Sequence, residues 1–172
     1  MNGFDWLNYI KRGSPDYALS RAGVIQRFAN KGTRRGDYVQ FGPVYQIFMY
    51  AFIIGFHQRQ RIPLPVSPAE RTHFKEIYLW KPEGLVNYIL MLLIANESVR
   101  KEAGIDFIAM EDLDENLVKE KFRTVIKIME EYANAGFGIM EEKFVDNPDF
   151  FNDPFAFATF LKQMADGKLN AK

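Results

Sequence analysis

The sequence predicts a mainly α-helical, single-domain chain over residues 1–172, with about six helices, two of them buried, and at most one short strand or hairpin. Three observations carry that prediction. The run from Val44 to Phe56 is apolar on every side, with Gln46 its only strongly polar side chain. A helix that is apolar all round belongs in a core. A second apolar run spans Tyr88 to Ala95. Further on, Val118, Phe122, Val125, Met129 and Tyr132 recur at spacings of four and three, which draws one apolar stripe along a helix. A chain of 172 residues is long enough to bury such a core as one domain.

The elements follow in order. Phe4, Trp6, Leu7 and Ile10 read as a short helix over 4–12, stopped by Gly13. Ser14-Pro15-Asp16 has the form of a helix start, with a capping hydroxyl, proline at the first position and an acid in the first turn. It predicts a helix to about Asn30. Lys31 to Asp37 is a basic, glycine-bounded loop without the G-x-x-x-x-G-K-[ST] pattern of a phosphate-binding loop. Pro43 suits the first position of the central helix. His57, Gln58, Arg59, Gln60 and Arg61 then make a basic exit that Pro63 and Pro65 hold extended. Ser67-Pro68-Ala69-Glu70 is a second helix start, for a short helix to about Tyr78. Ile77–Trp80 is the one strand candidate. Pro82 opens the second buried helix, which ends near Asn96. Residues 97–111 read as irregular, broken by Gly104. The amphipathic helix runs from Asp114 to Ala135, with Glu115–Lys119 and Lys127–Glu131 as i,i+4 pairs on its wet side and Gly136 as its stop. Asp153-Pro154 starts a last helix that Gly167 ends. The segment 137–165 is aromatic-rich, and a tail with Phe144, Phe150, Phe151, Phe155, Phe157 and Phe160 must pack on something.

Composition narrows the function classes. With no cysteine there is no disulfide framework and no thiolate metal site. The N-terminus lacks a basic segment followed by an apolar run, so no secretory signal is read there. Neither apolar run reaches the roughly 20 residues that span a bilayer. Formal net charge is zero, but residues 1–75 hold 11 Lys and Arg against 4 Asp and Glu, and residues 76–172 hold 11 against 18. A basic half attracts phosphates or acidic partners. Alternatively, the two halves pair within one fold.

Catalytic and metal signatures are weak. Glu70-x-x-His73-x-x-Glu76 would align three ligands on one helix face, but a di-iron bundle needs Glu-x-x-His twice, and His57 is the only other histidine. There is no nucleophile elbow, and nothing selects two facing carboxylates. The expectation is therefore no catalytic residues, no metal and no cofactor. The basic residues Arg21, Arg27, Lys31, Arg34, Arg35, Arg59 and Arg61 form a candidate surface for DNA phosphates or an acidic partner, since guanidinium forks suit phosphate. With no recognised DNA-reading motif, such contact would be to the backbone. Phe150 and Phe151 are candidate aromatic anchors for a partner.

Two segments carry a resemblance. One is Phe41 to Leu64, with AFIIGFHQRQRIPL. The other is Ile126 to Gly136, ending Glu131-Tyr132-Ala133-Asn134-Ala135-Gly136. Together they resemble the small accessory proteins encoded beside bacterial DNA phosphorothioation (Dnd-type) and related phage-defence systems. The resemblance implies a cytoplasmic accessory role in a bacterial assembly with DNA-processing ATPases or nucleases. The resulting expectation is a non-enzymatic adaptor that binds partner proteins, with DNA-backbone contact and homo-oligomer formation as further expectations. The alternatives are an oligomeric structural protein without a nucleic-acid role, and a small enzyme of unknown substrate.

Overall fold

The computed structural model describes residues 5–28, 43–153 and 155–167. Among them are seven α-helices and one two-stranded antiparallel sheet, so the mainly α reading holds. The helices are α1 (Trp6–Lys11), α2 (Ala22–Phe28), α3 (Val44–His57), α4 (Glu83–Ala95), α5 (Glu97–Ala103), α6 (Glu115–Asp146) and α7 (Ala156–Ala165). The strands are β1 (Asp16–Ala18) and β2 (Arg71–His73).

The axis of the fold is α6, whose 32 residues make a rod of roughly 48 Å. Helices α1, α2, α3 and α5 and strand β1 all pack against it. Its closest neighbour is α3. Gly55 lies over the Tyr132 carbonyl and Gly136 over the Ala51 carbonyl, where an added Cβ would strike the facing backbone. Around this crossing Phe56 meets the Tyr132 ring edge-on at 5.1 Å, and Phe48 meets Phe137 at 6.3 Å. Phe48, Phe52, Phe122 and Phe137 are fully buried. One contiguous apolar cluster runs from Ile10 to Met164.

Several elements depart from the sequence expectation. The helix predicted from Ser14 begins only at Ala22. Asp16–Ala18 is instead extended, because Asp16, Tyr17 and Ala18 pair with His73, Thr72 and Arg71. The Pro15 carbonyl accepts the Phe74 N–H and the Gly13 carbonyl the Ile77 N–H. The same pairing cuts the helix predicted from Ser67 to a single 3₁₀ turn, Pro68–Glu70. Ile77–Leu79 is a 3₁₀ turn rather than a strand, and the Trp80 indole N–H donates to the Lys75 carbonyl at 2.9 Å. Within 97–111, α5 forms because the Asn96 side chain accepts the Val99 N–H; Gly104, at φ +64°, then stops it. Gly136 does not stop α6. It sits buried at the α3 crossing, and the helix continues to Asp146. Glu115 pairs with Lys119 as read, but Glu131 turns inward and away from the wet side. Toward the C-terminus, the Asp153 carboxylate accepts the Phe155 N–H, and Gly167 follows α7 at φ +69°.

Candidate partner-binding surface

The basic exit of α3 is built by a turn of defined geometry. The Arg59 N–H donates to the Phe56 carbonyl and the Gln60 N–H to the Gly55 carbonyl. This double closure of a helix end places Arg59 in the left-handed region, at φ +53°. Glycine usually fills that position, since a Cβ is disfavoured there. The Arg59 side chain is exposed.

Two residues later Arg61 is held fast. Its Nε donates to Glu131 at 2.9 Å, and its two terminal nitrogens reach Glu102 at 2.5 and 2.8 Å. Hydrogen bonding to Glu102 raises the Arg61 pKa further, and the same bond holds the Glu102 carboxyl below its usual range. The chain that follows is tied to α6 as well. The Ile62 N–H donates to the Glu131 carbonyl, and Asn134 Nδ2 donates to the carbonyls of Ile62 and Pro63 at 3.1 and 3.3 Å. Asn134 Oδ1 in turn accepts Arg21 Nε at 3.1 Å, and Arg21 also pairs with Glu141 at 2.6 Å. Arg27 lies over the Phe144 ring at 3.5 Å. The HQRQR and Glu-Tyr-Ala-Asn-x-Gly segments, distant in sequence, are thus one joint.

A second polar cluster lies where the hairpin meets α6. The Glu130 carboxylate accepts the Asp16 N–H at 2.8 Å. Burial pushes the Glu130 carboxyl up to about 7, and the neighbouring Asp16 and Glu131 charges add to this. Asp16 also faces His73 at 2.8 Å and Arg71 at 3.8 Å. His73 therefore sits on a strand rather than a helix face, which removes the geometry of the Glu70–His73–Glu76 ligand row. Among the described residues no group of three or more His, Cys, Asp or Glu is placed to hold a metal.

The sequence-predicted site residues thus separate. Arg21, Arg27 and Arg61 are engaged within the chain, while Arg59 is exposed. Lys31, Arg34 and Arg35 lie outside the described residues. Phe151 is buried among Phe28, Phe157 and Phe160, with ring centroids at 4.7, 5.1 and 6.3 Å. Phe150 is half-buried under Lys143, whose Nζ is 4.5 Å from its ring.

The surface that sequence reasoning missed is the connector from α5 into α6. Phe107 is 44% exposed, Ile108 84% and Leu117 49%. Phe107 leans on Trp6, which stacks on Phe122. Ile108 projects freely because Asp106 caps the turn beneath it, accepting the N–H groups of Ile108 and Ala109. An open hollow of about 450 Å³ lies against Phe107 and Ile108, and one of about 300 Å³ against Leu113 and Leu117. The charged lining is mixed: Glu97, Asp106 and Glu120 stand beside Arg100, Lys101 and Lys121. The signal was an apolar pair in an acid-rich connector.

No helix among the described residues is long and apolar enough to cross a membrane. The family model described as DNA sulphur modification system-associated protein 4 matches residues 17–157. No curated protein and no solved structure matches the chain.

Proposed function

The chain belongs to the family of DNA sulphur modification system-associated protein 4, and on that premise we propose that it is a non-enzymatic adaptor that docks partner proteins of the system through the α5–α6 connector. The observation that supports this reading is Ile108, a large aliphatic side chain standing almost free beside Phe107 on a surface rimmed by charges of both signs. Exposed apolar groups with a polar rim are the usual make-up of a protein contact. The expected partners are DNA-processing ATPase or nuclease subunits, and the expected compartment is the bacterial cytoplasm. Co-expression with the other proteins of the same system tests it. The wild-type chain should co-purify with one of them, and Ile108→Asp should lose it while keeping the wild-type helical circular dichroism. Undiminished co-purification of the variant would remove the connector from the account.

A second reading, contact with the DNA backbone, draws on Arg59, whose guanidinium is exposed, together with Lys31, Arg34 and Arg35. Binding should then be independent of sequence, with log affinity falling against log salt by about 0.9 per phosphate contacted. Replacing Arg34, Arg35 and Arg59 by Ala should flatten that slope in an anisotropy titration. Absence of salt-dependent duplex binding near ~50 mM salt would end this reading.

A further inference from the structure

The exit of α3 carries two arginines that the fold treats differently. Among the described residues Arg59 is the one non-glycine at positive φ, and its side chain is exposed. A backbone conformation that glycine would adopt more cheaply, kept by a residue with an exposed cation, points to a use for that cation. Arg61, two residues on, meets two carboxylates where one would balance its charge. Glu131 takes Nε and one terminal nitrogen, and it is buried. It cannot leave without stranding charge in the interior. Glu102 takes the two terminal nitrogens, and its side chain is 45% exposed. An exposed carboxylate parts from its partner at little cost, because water replaces the contact.

The fork that Glu102 fills is two N–H groups side by side on a planar guanidinium, a geometry that accepts phosphate as well as carboxylate. Glu102 also has a second cation to turn to. Lys127 is exposed on α6, one turn before Glu131, and Glu131 has turned inward to Arg61. The Glu102 carboxyl is held below its usual range first by its hydrogen bond to Arg61 and then by the charges of Arg61 and Lys127. The exit thus has a fixed half, Glu131 on Arg61, and an exchangeable half, Glu102. We propose that Glu102 is an internal competitor for the Arg61 fork, and that a DNA backbone phosphate enters the α3 exit by displacing it. Arg59 then engages the same backbone, and Lys127 receives the released carboxylate. A single acidic side chain would only duplicate Glu102. Duplex DNA, with one charge per about 1.7 Å of its axis, offers phosphates to Arg59 and Arg61 together, and that lets an external ligand overcome a tethered one. The proposal rests on the DNA-backbone reading above and adds a gate to it.

The test compares wild type, Glu102→Gln, and Glu102→Gln combined with Arg61→Lys, in an anisotropy titration of a labelled duplex near ~50 mM salt. Glu102→Gln leaves Glu131 on Arg61 and should keep the wild-type helical circular dichroism. It should bind the duplex at least about fivefold more tightly than wild type. Adding Arg61→Lys, which keeps the charge and loses the fork, should cancel that gain. Glu142→Gln makes the same change of charge at an exposed position of α6, and should stay within about twofold of wild type. In the unaltered protein the Arg61 Nε–H resonance should shift as duplex is added, a readout that depends on no variant. Salt-dependent binding by wild type with no gain in Glu102→Gln would leave the DNA-backbone reading standing and overturn the gate. An equal gain in Glu142→Gln, a gain that survives Arg61→Lys, or an Arg61 resonance unmoved by bound duplex would do the same. A gain toward polyglutamate but not toward duplex would assign the exit to an acidic protein and overturn the gate. No duplex binding by either wild type or Glu102→Gln would overturn the gate and the reading beneath it.

Discussion

Glu130 and the two exit arginines show how much one side chain's surroundings decide. The buried Glu130 carboxyl holds its proton to about pH 7 in the folded chain, against about 4.3 when unfolded. Between those values the folded state binds more protons, so its stability is full below about pH 4 and declines as pH rises to about 7. The loss is of order 3–4 kcal/mol. Glu130→Gln keeps an acceptor for the Asp16 N–H and removes the titration. Urea melts of this variant should show a much flatter decline between pH 5 and pH 8 than those of the wild type. Arg59 and Arg61 should respond in opposite directions. Arg59→Gly relieves a left-handed residue and should gain roughly 0.5–1 kcal/mol. Arg61→Ala leaves Glu131, 6% exposed, without its counter-charge, and should lose about 3 kcal/mol or more. Adding Glu131→Gln to Arg61→Ala should recover part of that loss. Equal effects of the two arginine substitutions in denaturant melts would contradict these assignments.

At the scale of elements, the α3–α6 crossing is the joint to which the fold is most sensitive. Gly136→Ala would drive a methyl group into the Ala51 carbonyl. The helices would have to part, at an expected cost of about 3 kcal/mol or more, since backbone cannot give as a side-chain tip can. Gly23→Ala, with open space around it and within a helix, should instead stabilise by about 0.5–1 kcal/mol. Thermal melts of the pair separate a packing glycine from an incidental one. The contrast also marks the limit of local reading. The helices α3, α4 and the first part of α6 were legible because their apolar patterns run over many residues. The strands were not, since three residues carry no period and Asp16–Ala18 follows a good helix-start signal. What holds them extended is the register with Arg71–His73, a long-range fact. Gly136 misled for the same reason: as local grammar it ends a helix, and as packing it lets one continue under another.

Across the whole molecule, the charge asymmetry is resolved in part by internal pairing. Lys11 with Glu83, Arg21 with Glu141, and Arg61 with Glu102 and Glu131 all join the basic half to the acidic half. The candidate arginines were visible in the sequence, but which of them face solvent depends on what α6 sets opposite each, and no local pattern contains that. The connector was visible too, as Phe107-Ile108 among acids, and reads as featureless until Trp6 and Asp106 are seen to hold it in place. The α3–α6 joint also has a consequence during synthesis. About eighty residues separate Gly55 from its counterpart Gly136. At about 5–20 residues per second the ribosome leaves α3, with Phe48 and Phe52 uncovered, waiting roughly 4–16 seconds for the helix that will shelter it. The nascent chain is therefore most vulnerable in its middle age. A fragment ending at Leu113, before α6 begins, should be found in the insoluble fraction when expressed, whereas the full chain, which adds α6 and the buried Phe151, Phe157 and Phe160, should be soluble.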